Sequence, residues 1–492
     1  MADQPEQSES GHSARPDVPA ERSAHDRPDR PALYVGLGAS AGGLEALETF
    51  FAHMPPDSGL AFIVVQHLSP DYKSLMVELL SKRTSMPVHR AEEGARVQAN
   101  NVYLIPPAKN LSIFHGCLTL SDTEVPRTVN LPIDLFLRSL ADDCGERAVA
   151  VILSGTGSDG ARGVRAVKEA GGVVFVQAEE SARFDGMPRA AIATGVADAV
   201  LPVAEIPAKL TSWRLTPVGA DRPRPILSDE DGLARIFSLL RERTRVDFTY
   251  YKPSTLVRRI ERRMAVNQVG ELSDYVRLLE EQRTEATALY RELLIGVTSF
   301  FRDREVFAEL TDRYLPELLL SREHAEFRIW VSACSTGEEA YSLAIACREC
   351  LDAHDRRVNV KIFATDIDQD AIRRASTGTY PESIAADLDP HLLAKYFRRL
   401  GDQYVIDRSI RQMVVFAQHN LIKDPPFSNV DLVSCRNLLI YLQPVLQQKV
   451  LELISFALNP NGLLLLGTSE TTGDMSEAFE PLHHRLKIYR TR

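Results

Sequence analysis

Residues 33–47 read LYVGLGASAGGLEAL: a short apolar run, a turn of small residues, then the start of a helical pattern. A strand that breaks into a glycine turn and enters a helix is the first unit of an open α/β sheet. Ligands of such sheets bind at the carboxyl ends of the strands. Outward from this unit, apolar runs recur at 61–65, 102–105, 148–153 and 173–176, with helical stretches between several of them. The pattern predicts a mostly parallel sheet with helices on both faces.

The turn itself supports two readings. Gly36, Gly38 and Ala41 fit the dinucleotide pattern GxGxxA, which also requires an acidic residue after the second strand to hold the ribose. The second run instead ends in Gln66 and His67. Gly38, Ser40 and Gly42 fit GxSxG, in which small neighbours let a serine project from a tight turn at a helix N-terminus. His67 stands at the end of the next strand as a general base. Asp159 stands in LSGTGSDG, residues 153–160, as the group that orients it. Taken singly, such residues are a helix cap, an exposed histidine and a turn aspartate. Together, at three equivalent strand ends, they predict a nucleophilic hydrolase.

The segments GLGASAGGLEAL, VVQHLSP and LSGTGSDGARG, with VYLIPP at 102–107, resemble the chemotaxis protein-glutamate methylesterase family over about residues 32–212. The resemblance implies a Ser40, His67, Asp159 triad acting on γ-glutamyl methyl esters of membrane receptors. Two positions depart from it: Ala41 replaces a threonine after the nucleophile, and Thr156 replaces a methionine before GxDG. The family's receiver domain has no counterpart in the sequence read, so control by phosphorylation on this chain is not expected.

A second α/β pattern has its strands at 327–331, 360–364, 431–434 and 463–467. Its first strand runs into FRIWVSACSTGEEAY, residues 327–341. One glycine lets a nucleoside approach the backbone, but no glycine cluster cradles phosphates. That suits S-adenosylmethionine, whose ammonium group Glu338 would accept. The next strand ends in ATDID, residues 364–368, where Asp366 would take the ribose hydroxyls. The plainer alternative is a capped helix start and a loop of solvated acids.

TSFFRD (298–303), SACSTGEEAYSLA, FATDID, HNL (419–421) and SCRNLLIYL resemble the chemotaxis receptor glutamate methyltransferase family over about residues 228–492. By that resemblance Thr298, Arg302, Glu338, Asp366, Asn420, Leu421, Asn437 and Leu438 line the cofactor pocket, and Arg302 and Tyr441 lie near the acceptor carboxylate. Gly296 departs from the family's frequent asparagine. The acceptor glutamate is ionised at neutral pH, with a pKa of about 4.3, so positioning carries most of the catalysis.

The expected architecture is α/β, with two doubly wound sheet domains: a Rossmann-like esterase unit and a class I methyltransferase unit. A small helical domain lies between them, and a small antiparallel β insertion interrupts the second. The boundaries are a disordered tail at 1–31, the esterase-like domain at 32–214, a linker at 215–227, helices at 228–296 and the methyltransferase at 297–492, with the insertion at about 376–418. Arg258, Arg259, Arg262 and Arg263 share one helix face and are expected to form a basic strip that meets acidic receptor helices.

A net charge of −10 argues against chain-wide nucleic-acid binding. No apolar run reaches membrane-spanning length, and the six cysteines form no disulfide framework, which suits a reducing cytoplasm. Cys347 and Cys350 form a lone CxxC in a helical pattern, so no metal is expected. The expected partner is a methyl-accepting receptor, reached without an integral membrane segment. Two alternatives stand beside this reading: an esterase-like domain that only docks or regulates, and an NAD-linked dehydrogenase.

Overall fold

The computed structural model describes residues 31–66, 76–122, 130–215, 229–294, 296–320 and 326–492. The N-terminal unit is built on seven parallel strands: β1 (Tyr34–Ala39), β2 (Ala61–Gln66), β3 (Val88–Arg90), β4 (Val102–Leu104), β7 (Ala148–Ile152), β8 (Val173–Gln177) and β9 (Ala199–Leu201). An antiparallel hairpin, β5 (Lys109–Phe114) and β6 (Cys117–Asp122), lies outside the sheet. The strand order is β3-β4-β2-β1-β7-β8-β9, so the direction of winding reverses between β1 and β7. Among the described residues of this unit the α-helices are α1 (Gly43–His53), α2 (Met76–Ser81), α3 (Pro132–Cys144), α4 (Ala161–Glu169), α5 (Gly186–Ala193) and α6 (Ile206–Leu215).

β1 is buried along its whole length, as a central parallel strand must be. Val35, Leu37 and Ala39 enter the core on one face, while Tyr34 enters the core on the other. Gly36 and Gly38 face α3: a Cβ on Gly36 would come within 2.8 Å of Leu137, and one on Gly38 within 2.5 Å of Ile133. The paired glycines of the dinucleotide-like pattern therefore have a packing cause, the close seating of a helix on the sheet.

The central helices are Glu230–Thr244, Pro253–Val266, Leu272–Glu281 and Arg283–Leu294. They enclose their own core around Ile236, Leu240, Phe248, Ile260, Tyr275 and Leu289. Asp229 caps the first of them by accepting from the Gly232 N–H.

The C-terminal sheet contains β10 (Phe327–Ser332), β11 (Val360–Asp366), β15 (Val414–Gln418), β16 (Val430–Cys435), β17 (Leu458–Leu466), β18 (Phe479–His483) and β19 (Ile488–Thr491). Its order is β15-β11-β10-β16-β17-β19-β18, parallel except where β19 pairs with β17 and β18. Winding reverses between β10 and β16. A separate antiparallel sheet holds β12 (Thr379–Pro381), β13 (Phe397–Leu400) and β14 (Gln403–Ile406). The insertion ends sooner than residue 418, because β15 pairs in parallel with β11 and is part of the main sheet.

The arginine strip is not a free face. Arg259 and Arg262 are 3% and 7% exposed. Arg258 pairs with Glu146, Arg259 with Glu292, Arg262 with Asp198, and Arg263 with Glu285. Glu146 and Asp198 belong to the N-terminal unit, so the strip binds the two halves of this chain together instead of presenting a docking surface. Among the described residues, no helix is long and apolar enough to cross a membrane.

Candidate active sites

Ser40 follows β1 at the reversal point of the first sheet. Its N–H donates to the Ser154 carbonyl at 3.0 Å, tying the ends of β1 and β7 together. Gly42 takes φ +71°, which lets the chain turn into α1. Ser154 braces this turn from behind: its hydroxyl donates to the Ala41 carbonyl at 2.9 Å and accepts from the Phe184 N–H at 3.0 Å. Gly155 cannot carry a side chain, since a Cβ there would lie 2.9 Å from Ser40 Cβ and 2.2 Å from Met187 Sδ. A cleft lined by Ser40, Gly42, Gly43, Gln66 and Arg183 opens over the serine.

Asp159 is buried. Its carboxylate accepts from the Ile133 N–H at 3.0 Å and the Asp134 N–H at 2.8 Å, the first amides of α3. A carboxylate favours that end of a helix dipole. Asp134, beside it, is pushed up to about 7 by its own burial and by the neighbouring Asp159 charge. His67 lies outside the described residues.

The second site sits at the β10/β16 reversal. Thr298, Arg302, Asp366, Asn437, Leu438 and Tyr441 line one cavity, together with Ser335, Glu339 and Arg436. Glu338 is not among its lining residues: buried at 1% exposure, it accepts from Thr336 and faces Arg165 of the N-terminal unit at 3.7 Å. Asn420 and Leu421 are not lining residues either. The Asn420 side chain caps its own turn by accepting from the Ile422 and Lys423 N–H groups.

Asp366 is held by two amides, Ser335 N–H at 2.8 Å and Asp368 N–H at 2.9 Å. Burial pushes its carboxyl up to about 6 against the pull of those amides. The helical region closes one side: burial raises the phenols of Tyr251 and Tyr290, and nearby Asp366 raises both further. The turns around the cavity are strained. Ala333 (φ 54°), Ser335 (φ 48°) and Asn437 (φ 60°) all take left-handed backbone without being glycine. Such strain persists where surrounding contacts over-determine it, and it concentrates at ligand sites. Glu470 fixes one of these turns, accepting from the N–H groups of Asn437 at 2.9 Å and Gly467 at 2.6 Å.

Arg436 is almost wholly buried and sets the position of Arg302. It donates to the Arg302 carbonyl at 3.0 Å and pairs with Asp303 and Glu339. Sequence reading missed Ser335, Glu339, Arg436 and Glu470. Arg436 stands inside SCRNLLIYL and Glu339 directly follows Glu338, so both lay within quoted motifs. A buried carboxylate at the end of the second strand suits paired ribose hydroxyls. The absence of a glycine cluster in the turn after β10 suits a nucleoside without phosphates. The residues therefore fit S-adenosylmethionine.

Residues 35–210 match the CheB methylesterase family model, residues 231–294 the CheR methyltransferase all-alpha domain, and residues 296–488 the CheR methyltransferase SAM-binding domain. An uncharacterized 104.1 kDa protein of Rhodobacter capsulatus is 42% identical over 84% of this chain, and the chain spans 46% of it. The chain thus covers about half the length of that relative. Chemotaxis protein methyltransferase 2 of Pseudomonas aeruginosa is 32% identical over 48% of this chain and 85% of its own length. Protein-glutamate methylesterase/protein-glutamine glutaminase 1 of Geobacter metallireducens is 34% identical over 36% of this chain and 50% of its own. S-adenosyl-L-methionine is the cofactor of the matched C-terminal domain. The chain belongs to the CheR methyltransferase family and carries, ahead of that unit, a CheB methylesterase domain.

Proposed function

We propose that the C-terminal half methylates glutamate side chains of a methyl-accepting signalling receptor and that the N-terminal half hydrolyses the resulting esters. The observation that carries the reading is the single cavity gathering Asp366, Arg302, Asn437 and Tyr441 at a sheet reversal. S-adenosylmethionine would supply an electrophilic sulfonium methyl group, leaving S-adenosylhomocysteine, a neutral thioether, as the other product. Asp366 would hold the ribose hydroxyls, its carboxylate fixed in place by the Ser335 and Asp368 amides. Arg302 holds the acceptor carboxylate in line, and Arg436 fixes the backbone that carries Arg302. No strong base is needed, because the acceptor is already ionised.

In the N-terminal half Ser40 attacks the ester carbonyl while His67 takes its proton and Asp159 orients the imidazole. The proton passes to the departing methanol, and water then releases the glutamate by the same route. A regulatory role for this half is a second reading. One observation favours it: α4 is engaged by the methyltransferase half through Arg162, Arg165 and Lys168.

The test uses the full chain with methyl-labelled S-adenosylmethionine and a purified receptor cytoplasmic fragment. Base-labile methyl ester on the receptor is expected, and its absence would refute the methyltransferase assignment. Methanol release from pre-methylated receptor should vanish in Ser40→Ala. Unchanged release would refute the esterase assignment.

A further inference from the structure

One face of α4 is directed at the methyltransferase half. Arg162 pairs with Asp387 of the β insertion. Arg165 donates to the Thr298 carbonyl at 3.3 Å and faces Glu338 at 3.7 Å. Lys168 meets Glu292 at 2.6 Å. The last residue, Glu169, pairs with Arg302 and is itself a lining residue of the methyltransferase cavity. Tyr441 belongs to the same cluster: burial raises its phenol, Glu169 raises it further, and Arg302 opposes. A carboxylate from the esterase-like domain therefore stands on the guanidinium that faces the cavity, beside the tyrosine.

The chemistry of that contact is specific. The acceptor of the reaction is a glutamate side chain, and Glu169 presents the same carboxylate. A guanidinium offers a limited fork of donors, and one Arg302 Nη2 cannot hold two carboxylates in the same geometry. We propose that Glu169 occupies the acceptor-carboxylate seat of the methyltransferase, as an internal competitor that an external glutamate must displace. The proposal rests on the reading that this cavity binds S-adenosylmethionine and that Arg302 receives the acceptor. Glu169 is thus a specificity-determining residue contributed by the other domain. The seat admits only acceptors that outcompete a tethered carboxylate, and the Glu169 side chain must leave Arg302 when they bind.

The size of the effect follows from exposure. The Arg302 and Glu169 side chains are 24% and 36% exposed, so the pair is a partly solvated one. Its removal is expected to lower the acceptor KM roughly two- to fivefold. The experiment compares the full-length wild type with Glu169→Ala, Glu169→Gln and Arg162→Ala, using a purified receptor cytoplasmic fragment as acceptor. S-adenosylhomocysteine binding is measured by calorimetry on each.

Both Glu169 variants should lower the acceptor KM and retain S-adenosylhomocysteine affinity. Arg162→Ala, which removes a contact elsewhere on α4 and leaves the Glu169–Arg302 pair intact, should leave KM in place. A base-labile methyl ester found on Glu169 itself, after incubation with S-adenosylmethionine alone, would also support the proposal. An unchanged KM in both Glu169 variants, with S-adenosylhomocysteine still bound, would overturn the proposal alone. An equal fall in Arg162→Ala would reduce the contact to general docking and overturn it as well. Loss of S-adenosylhomocysteine binding in the wild type would overturn the cofactor reading and, with it, the proposal.

Discussion

Replacing Asp198 by asparagine probes what holds the two halves together. The Asp198 side chain is fully buried. Its carboxylate accepts from Lys168 Nζ and Arg262 Nε, both at 2.9 Å, and from the Val174 N–H at 2.8 Å. Burial alone would raise its pKa, but Arg262 and Lys168 prevail and hold it at about 2. Against a free value of about 3.9, that depression corresponds to roughly 2–3 kcal/mol of stability.

Asparagine keeps an acceptor for Val174 but removes the charge. Lys168, Arg259 and Arg262 would then share Glu292 as their carboxylate in this cluster. Breaking a buried pair in this way costs about 3–5 kcal/mol, so the two routes agree on scale. Because the folded pKa is depressed, the contribution is complete above about pH 4 and is lost as pH falls towards 2. Urea unfolding at pH 7, followed by circular dichroism, should show the loss, and hydrogen exchange at α4 should accelerate. A cost below about 1 kcal/mol would refute the reasoning, since it would mean that the cations are hydrated. The triple change Asp198→Leu, Lys168→Met, Arg262→Met should recover most of the loss by replacing the ions with apolar packing.

Two further outcomes test the methyltransferase site. S-adenosylhomocysteine affinity, measured by calorimetry, should weaken as pH falls below about 6, where Asp366 takes a proton, and Asp366→Asn should weaken it at every pH. The folded pKa of Asp366 is raised, so the ligand-free chain should gain stability from this group as pH falls from about 6 to about 4. A flat affinity between pH 5 and 8 would count against its ribose role. Gly337→Ala should cost about 1–3 kcal/mol in thermal stability and weaken the same ligand. Gly337 takes φ +92°, and a Cβ there would lie 2.8 Å from Ala375 and 3.0 Å from Phe416.

Much of the fold is legible in the sequence, because the central strands are buried on both faces. β1, β2, β7 and β8 read as nearly continuous apolar runs for that reason. β3, with the half-exposed pattern of an edge strand, and β13 of the insertion carry no such run, and the reading passed over them. The arginine strip was misread for a different cause. Its partners Glu146 and Asp198 lie 112 and 64 residues away, and no local pattern announces a pairing across a domain boundary.

At the site, Glu338 and Asp366 are placed by their position after strands, and the other residues by the family resemblance. Thr298, Arg302, Asp366, Asn437, Leu438 and Tyr441 do share one cavity. Glu338, Asn420 and Leu421 fall outside its lining, because a motif fixes a residue's neighbourhood and not the direction of its side chain. The twin glycines of β1 show the converse: a nucleotide-like pattern arises wherever a helix needs to approach a strand closely.

Helix α4 has nine residues, Ala161 to Glu169, a length of about 13 Å. It starts directly after Gly160, next to Asp159, and it ends on Arg302. Under the proposed assignments, a single helix therefore has one end beside each reaction centre. If an occupant of one centre favours a shifted α4, an occupant of the other must feel that shift with the same free energy, because binding linkage is reciprocal. Under the proposed assignments, writer and eraser, usually treated as separate catalysts meeting on a shared substrate, would in that case be thermodynamically conjugate: the affinity of either would be a function of the occupancy of the other.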